Sequence, residues 1–449
     1  MRAALLVCLG TLGCAASETR HQVVAAIERG AYADALRTYE KGGQERSLLR
    51  VLAESVLLQD AQLADGPRQR SAFGELELLG TRARPWLERL ARPEQPESVR
   101  ARALRILMVL GDSDARAQLR ELAFTADPAV VDEAFAALDP SLDQALLLST
   151  LRAPRAARRL AAVVLLGAAD APNTLQPIVE LSRSDPEPSV RAAALFALER
   201  RGAEAVRAFE RGLKDDSESV RVAAIAAFAR AAPAQALSHL DQQLGSAVSH
   251  ETLAAAVALL QMQPVCEAAR AHDALARGLA ASESPLRSHT AVLIRTLPGD
   301  RESLAAVRER LAIESVPEVQ LALALALGAD DPAARRALAR LAQGTALVAA
   351  QAAQELARFG DATAERQLIT LRASASSVTR ASVARALGRD RRVPEAVAPL
   401  LADQDPSVRI AAAGAILAAL MDPSNSMQAS RYARSAVTER PLSQPRVLR

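Results

Sequence analysis

Residue types that carry covalent or acid–base chemistry are scarce in this chain of 449 residues. It has three cysteines (Cys8, Cys14 and Cys266) and five histidines (His21, His239, His250, His272 and His289). A cysteine nucleophile needs a nearby base and positive surroundings. Cys266, in Met262-Gln263-Pro264-Val265-Cys266, has only His272 within a helical turn or two, and reads as a small buried hydrophobe. There is no HExxH, no Cys–His metal spacing, no Walker loop and no dinucleotide fingerprint. These residues lead us to expect no catalytic site, no metal, no cofactor and no small-molecule substrate. Arginine is the abundant functional type: 53 residues against two lysines. Seven arginines, Arg100, Arg158, Arg191, Arg221, Arg287, Arg380 and Arg409, recur directly after a regularly spaced, mostly apolar position. A row of arginines could bind phosphates. Alternatively each pairs with an aspartate in an adjoining turn, such as Asp185, Asp215 or Asp405. Acidic residues total 52, nearly matching the positive charge, and bidentate Arg–carboxylate pairing suits a fixed geometry, so the ladder of ion pairs is the preferred reading. A net charge of only +3 argues against a dedicated nucleic-acid binder.

The arginines must be positioned by a repeat. Pro188-Ser-Val-Arg-Ala-Ala-Ala-Leu-Phe-Ala-Leu198, Glu218-Ser-Val-Arg-Val-Ala-Ala-Ile-Ala-Ala-Phe228 and Pro406-Ser-Val-Arg-Ile-Ala-Ala-Ala-Gly-Ala-Ile416 are versions of one segment. Taking the valine as an anchor, equivalents fall at Val99, Val130, Ala157, Val190, Val220, Thr252, Leu286, Val319, Val348, Thr379 and Val408, 27 to 34 residues apart. After most anchors, small or apolar residues follow at i+4, i+7 and i+8, which is helical spacing. Asp127-Pro128, Asp185-Pro186 and Asp405-Pro406 precede anchor helices, with Asp able to accept from free N–H groups and Pro suited to the first turn. Gly111, Gly167, Gly202, Gly328, Gly360 and Gly388 follow, as residues that close helices. A second, shorter apolar pattern comes next, as in 203–213 and 333–341.

Such a helix pair buries its apolar face only against neighbouring pairs, so the expected fold is all-α, an α-solenoid. The pattern resembles the HEAT-repeat family in its short variant of about 30 residues, known from bilin lyases. Val99-Arg100, Val190-Arg191, Val220-Arg221 and Val408-Arg409 carry the resemblance, with Asp upstream and Ala-Leu downstream. It implies a HEAT/armadillo-like superhelix of antiparallel helix pairs over residues 93–421, about 11 repeats. The family includes deoxyhypusine hydroxylase, which holds iron with several His-Glu pairs; here there is one, His250-Glu251, which reads as a polar surface pair. A fold of this kind does not by itself name an activity.

The first residues read as an address. Met1-Arg2, an apolar run from Ala3 to Gly13 and the small residues Cys14-Ala15-Ala16-Ser17 form a secretory signal, too short for a membrane span. Thr11-Leu12-Gly13-Cys14 resembles a bacterial lipobox, departing at Thr11 where leucine is usual; the resemblance implies lipidation of Cys14. Cleavage after Ala15 or Ala16, and an Ala/Leu-rich helix start, are the other readings. Residues 1–13 are then a signal peptide and 14–20 a linker. Residues 21–92 form an N-terminal helical cap, in which the segment Gly30 to Glu40 is weakly similar to a tetratricopeptide repeat. Residues 422–449 form a disordered basic tail with five arginines against Asp422 and Glu439, either a solvated terminus or a contact for anionic lipid or nucleic acid.

The expected function is a non-catalytic, protein-binding scaffold of the bacterial envelope, touching the membrane through its lipid anchor alone. Ala15 after Cys14, by resemblance to lipoprotein sorting, points to the outer membrane, periplasmic side. The alternative is a cytoplasmic lyase-like HEAT protein, or enzyme accessory, acting on a cofactor-bearing protein.

Overall fold

The computed structural model describes residues 18–42, 45–63, 66–123, 128–169, 173–262, 268–390 and 394–421. Cys8, Cys14, Asp127, Cys266 and the segment 422–449 lie outside the described residues. Every regular element among the described residues is a helix, and the fold is an all-α solenoid. The chain forms two compact units. One comprises 87–344 with 351–359; the other comprises 1–86, 345–350 and 360–449.

In the first unit, one repeat shows how the sequence builds the pair. Glu187 is extended (φ −92°, ψ 118°), and Pro188 starts the helix Pro188–Ala197, where a missing N–H costs nothing. Val190, Ala194, Leu195 and Leu198 are buried, each at 1% exposure or less. Ala197, expected inside at i+7, is half-buried, and Leu195 at i+5 takes the deeper place. Full burial of a Val or Leu is worth about 1.5–3 kcal/mol. Successive anchor helices (Ala156–Ala169, Pro188–Ala197, Glu218–Ala231, His250–Met262, Ser284–Ile294 and Pro317–Leu327) pack side by side. Each also packs on its neighbouring second helices, such as Leu175–Ser184 and Pro332–Leu341.

Aspartates cap several second helices rather than every anchor helix. Asp112, Asp300 and Asp331 accept N–H bonds at the starts of Ser113–Leu122, Arg301–Ile313 and Pro332–Leu341. Such a cap is worth roughly 1 kcal/mol. Asp405 does cap its anchor helix Pro406–Leu420. Asp185 does not, because Pro188–Ala197 begins three residues beyond it, and its carboxylate is engaged elsewhere.

Gly111, Gly202, Gly328 and Gly360 have positive φ, as expected of residues that close helices. Gly167 and Gly388 do not. Gly167 lies inside Ala156–Ala169, where a Cβ would fall 2.7 Å from the Ala197 Cα of the next anchor helix. It is a close-approach residue, as the neighbouring alanines are.

In the second unit, residues from both ends of the sequence fold together. The final helix Pro406–Leu420 packs against Ser377–Arg385 and also against Arg46–Ala61 and Pro67–Leu79. It is buried on every side, from Val408 through Leu417, as its nearly uniform apolar sequence requires. The Arg409 guanidinium lies over the Tyr32 ring at 4.2 Å, and the Tyr32 hydroxyl donates to Gln59 at 3.0 Å. Arg385 pairs with the buried Glu75 at 2.9 Å, and Gly414 leaves the space that the Glu75 side chain fills.

Gly167→Ala is expected to cost about 1–3 kcal/mol by forcing two anchor helices apart. Denaturant unfolding checks this; an unchanged midpoint would contradict the close approach.

Candidate functional site: an arginine ladder between repeats

The arginine at i+1 sits in the first turn of its helix and reaches back over the helix start. Arg191 Nη1 donates to the Asp185 carbonyl at 2.8 Å, six residues upstream. Its Nε and Nη2 grip the Asp215 carboxylate of the next repeat at 2.8 and 2.7 Å. Arg380 repeats this with the Ser374 carbonyl (2.8 Å) and Asp403 (2.7 and 2.9 Å). Arg287 uses the Ala281 carbonyl (2.9 Å) and Glu314 (2.8 and 3.1 Å). Arg221 uses the Asp215 carbonyl (2.7 Å) and Glu251 (2.8 Å). A cation at a helix N-terminus opposes the helix dipole. The facing carboxylate offsets that cost, and its oxygens also accept backbone N–H groups, as Asp215 does from Ser217 at 2.9 Å. One aspartate thus serves two arginines: Asp185 offers its carboxylate to Arg159 and its carbonyl to Arg191. The result is a continuous line, Arg159–Asp185–Arg191–Asp215–Arg221–Glu251.

Three expected members differ. Arg158 is not the ladder residue of its repeat; Arg159 is, with Asp185 at 2.7 Å on both oxygens and the Ala153 carbonyl at 2.8 Å. Helices with a ladder arginine start two residues before the anchor, and Ala156 starts this one, so the anchor is position 158 and Ala157 is exposed. Arg158 instead pairs with Asp132 at 2.9 Å near the surface. Arg409 keeps the carbonyl half, donating to Asp403 and Gln404 at 2.7 and 3.0 Å, but meets the Tyr32 ring where other arginines meet a carboxylate. Among the described residues, its neighbours on that side come from the N-terminal helices. Arg100 has its Nε buried with no acceptor among the described residues, while Arg102 pairs with Glu133 at 3.1 Å. The sequence reading missed Arg159 and the acceptors Glu251, Glu314 and Asp403. It also passed over Gln320, whose amide donates to the Glu314 carbonyl and so supplies the carbonyl half without a charge. Counting from helix starts rather than from valines would have found Arg159.

Burial alone would raise the ladder carboxylates. Hydrogen bonds outweigh it: Arg191 and the Ser217 N–H hold Asp215 below the ordinary aspartate value, and Arg380 and the Asp405 N–H do the same for Asp403. Glu314 is fully buried, yet Arg287, the Val316 N–H and Arg310 lower it to about 2.

The histidines are held in separate polar contacts. His272 Nε2 meets Asp300 at 3.0 Å and its Nδ1 meets Glu302 at 3.1 Å. His250 bonds Glu218 through Nδ1 and stands edge-on to His289, ring centres 4.7 Å apart. No cluster of three or more His, Cys, Asp or Glu among the described residues is arranged to hold a metal. A cavity of about 600 Å³ opens beside the ladder, walled by Leu151, Pro177, Leu181 and the Arg159–Asp185 pair.

Arg159→Met should destabilise the chain by about 3 kcal/mol, because it strands the buried Asp185. Arg158→Met should cost under about 1 kcal/mol. Equal losses in the two denaturant curves would overturn the register. The pH dependence has a definite sign. A lowered carboxylate contributes stability above its ordinary value, 4.5 for Glu314, and loses that contribution as pH falls toward about 2. The melting temperature should therefore drop across that window, and Glu314→Gln should flatten the drop.

Residues 175–261 match the family model for HEAT repeats. No curated protein matches the chain. Among solved structures, human deoxyhypusine hydroxylase in complex with glycerol is similar at 20% identity and TM-score 0.25, covering 64% of this chain and 96% of that one. Yeast importin-beta (Kap95p) is similar at 13% identity and TM-score 0.34, covering 91% of this chain and 64% of that one. The karyopherin Kap121p, bound to the extreme C-terminus of the phosphatase Cdc14p, is similar at 15% and 0.34, covering 89% and 56%. Likeness at this level bears on neither activity nor partner. The same arginine contacts continue on either side of the matched helices at Arg159, Arg287 and Arg380; the segment from Leu175–Ser184 through His250–Met262 is built of HEAT repeats.

Proposed function

We propose that this protein is a non-catalytic scaffold of the bacterial cell envelope, holding a protein partner on its repeat surface. The observation that carries the reading is the run of anchor helices set side by side, with Arg159, Arg191 and Arg221 bridging successive repeats. Helices so fixed offer an extended surface for a partner without needing a cofactor. The sequence Thr11-Leu12-Gly13-Cys14 supports a lipid anchor at Cys14, and Ala15 supports an outer-membrane, periplasmic-side location. A cytoplasmic, lyase-like role would need a retained Met1 and a cluster of reactive side chains on this surface.

Intact mass and membrane fractionation of the native protein and of Cys14→Ala test the location. The expected result is a membrane-bound chain beginning at Cys14 with added acyl mass, released to the soluble fraction by the substitution. A soluble chain that retains Met1 would overturn it.

A further inference from the structure

Across the six anchor helices from Ala156–Ala169 to Pro317–Leu327, the positions i+2, i+3 and i+6 lie along one side of each helix. Taking Arg158, Val190, Val220, Thr252, Leu286 and Val319 as anchors, the positions i+2, i+3 and i+6 carry no charged residue. Apart from Ser288 and His289, all are Ala, Leu, Val or Phe. Burial and the neighbouring His250 push His289 toward its neutral form. Three bulky members are open to solvent, Val164 at 53% exposed, Phe196 at 43% and Val292 at 55%, while Leu160, Val222 and Leu325 are half-buried and Ala223, Ala255, Ala258 and Leu321 are buried. Two rims of opposite sign border this apolar band. At the helix starts, Glu187, Glu218, Glu283 and Glu318 are exposed. At the ends of three of these helices Arg200, Arg230 and Arg295 are exposed, Arg230 pairing with Glu199. The Arg230 guanidinium leans over the Phe196 ring at 5.6 Å. Helix dipoles favour these signs at the two ends, but they give no reason for the exposed positions between them, at Val164, Phe196 and Val292, to avoid charge.

We propose that this band docks an amphipathic α-helix of the partner protein, one edge of which is basic and the other acidic. This rests on the scaffold role proposed above. The dimensions select a helix. Glu187 and Arg200 are 13 residues apart on one anchor helix and its end, or about 20 Å along the axis. An α-helix about 10–12 Å across fills the apolar middle, and long charged side chains reach outward from it to both rims. An extended strand, about 5 Å wide, leaves the rims unmet. Packed helices lie about 8–10 Å apart, close to the ~10.5 Å rise of seven helical residues. A partner with a large apolar residue every seventh position therefore places one against each repeat. The opposite rims also set direction: the basic edge must face Glu187 and Glu218, so the docked helix runs one way along the array.

The test uses the full chain and three labelled helical peptides of about 28 residues, long enough to cross four repeats. All carry leucine at seven-residue spacing. One has a lysine edge and a glutamate edge, one has lysine on both edges, and one has glutamate on both. Fluorescence anisotropy should show the mixed peptide binding about tenfold more tightly than either uniform one. Phe196→Asp and Val292→Asp, each with unchanged melting, should each weaken it by a similar factor. Equal binding of the three peptides, or full binding to both folded variants, would overturn the proposal. Crosslinking in the envelope separates this from the scaffold role. If Phe196→Asp and the unaltered chain capture the same partner equally, the scaffold stands and this surface falls. Capture of nothing by the unaltered chain would sink the scaffold reading itself.

Discussion

A buried guanidinium is the constraint around which the repeats are arranged. Removing its charge from water costs several kcal/mol unless a carboxylate and further acceptors replace the lost solvent. Arginine's planar fork meets that demand with two different partners at once, the carbonyls of its own loop and the carboxylate of the next repeat. Arg191 cannot satisfy Asp215 unless the two loops stand in one register and at one separation. The ladder is thus a ruler as well as a bond. Where Gln320 stands in, its amide keeps only the carbonyl contact, so the ruler is interrupted there and the apolar packing of Pro317–Leu327 must hold the spacing alone.

What was legible follows from how local each signal is. Helix starts, helix spacing and the arginine pattern are written within a dozen residues, and the helices at Val190, Val220 and Val408 form where that pattern places them. Arg158 was misassigned because the sequence carries Arg-Arg at 158 and 159, and only the helix start at Ala156 tells which one faces the loop. Gly167 was read as a helix end because glycine is common there; its role depends on Ala197, thirty residues away, which no local signal reveals. Acceptors were equally hidden. Glu251 and Glu314 do the work of an aspartate with a longer arm, Glu251 from the first turn of His250–Met262 and Glu314 from the residue after Arg301–Ile313.

The association of the chain's two ends is the least local feature. Pro406–Leu420 is apolar all round, so it needs cover on every side. Helices Arg46–Ala61 and Pro67–Leu79 supply the cover. That explains the fate of Arg409. Its guanidinium keeps the two carbonyl bonds of its own loop and settles on the π face of Tyr32 in place of a carboxylate. The same packing accepts a buried Glu75 because Arg385 reaches it and Gly414 gives it room.

Position in the repeat separates what holds the fold from what is free to vary. The anchor, i+1, i+4 and i+8 positions are tied to burial or to the ladder, as Val190, Arg191, Ala194 and Leu198 are. The i+6 position is outside the ladder and, at Val164, Phe196 and Val292, outside the core as well. A polar residue would cost the fold little at those three, yet Val164, Phe196, Ala226, Ala258, Val292 and Leu325 occupy the position in turn. Scattered exposed apolar residues are ordinary on any surface. Their recurrence at one helical position on adjoining repeats is a different matter, since it aligns them into one band. The ladder sets the distance between the helices on which those side chains stand, and it fixes the spacing at which any partner must present its own.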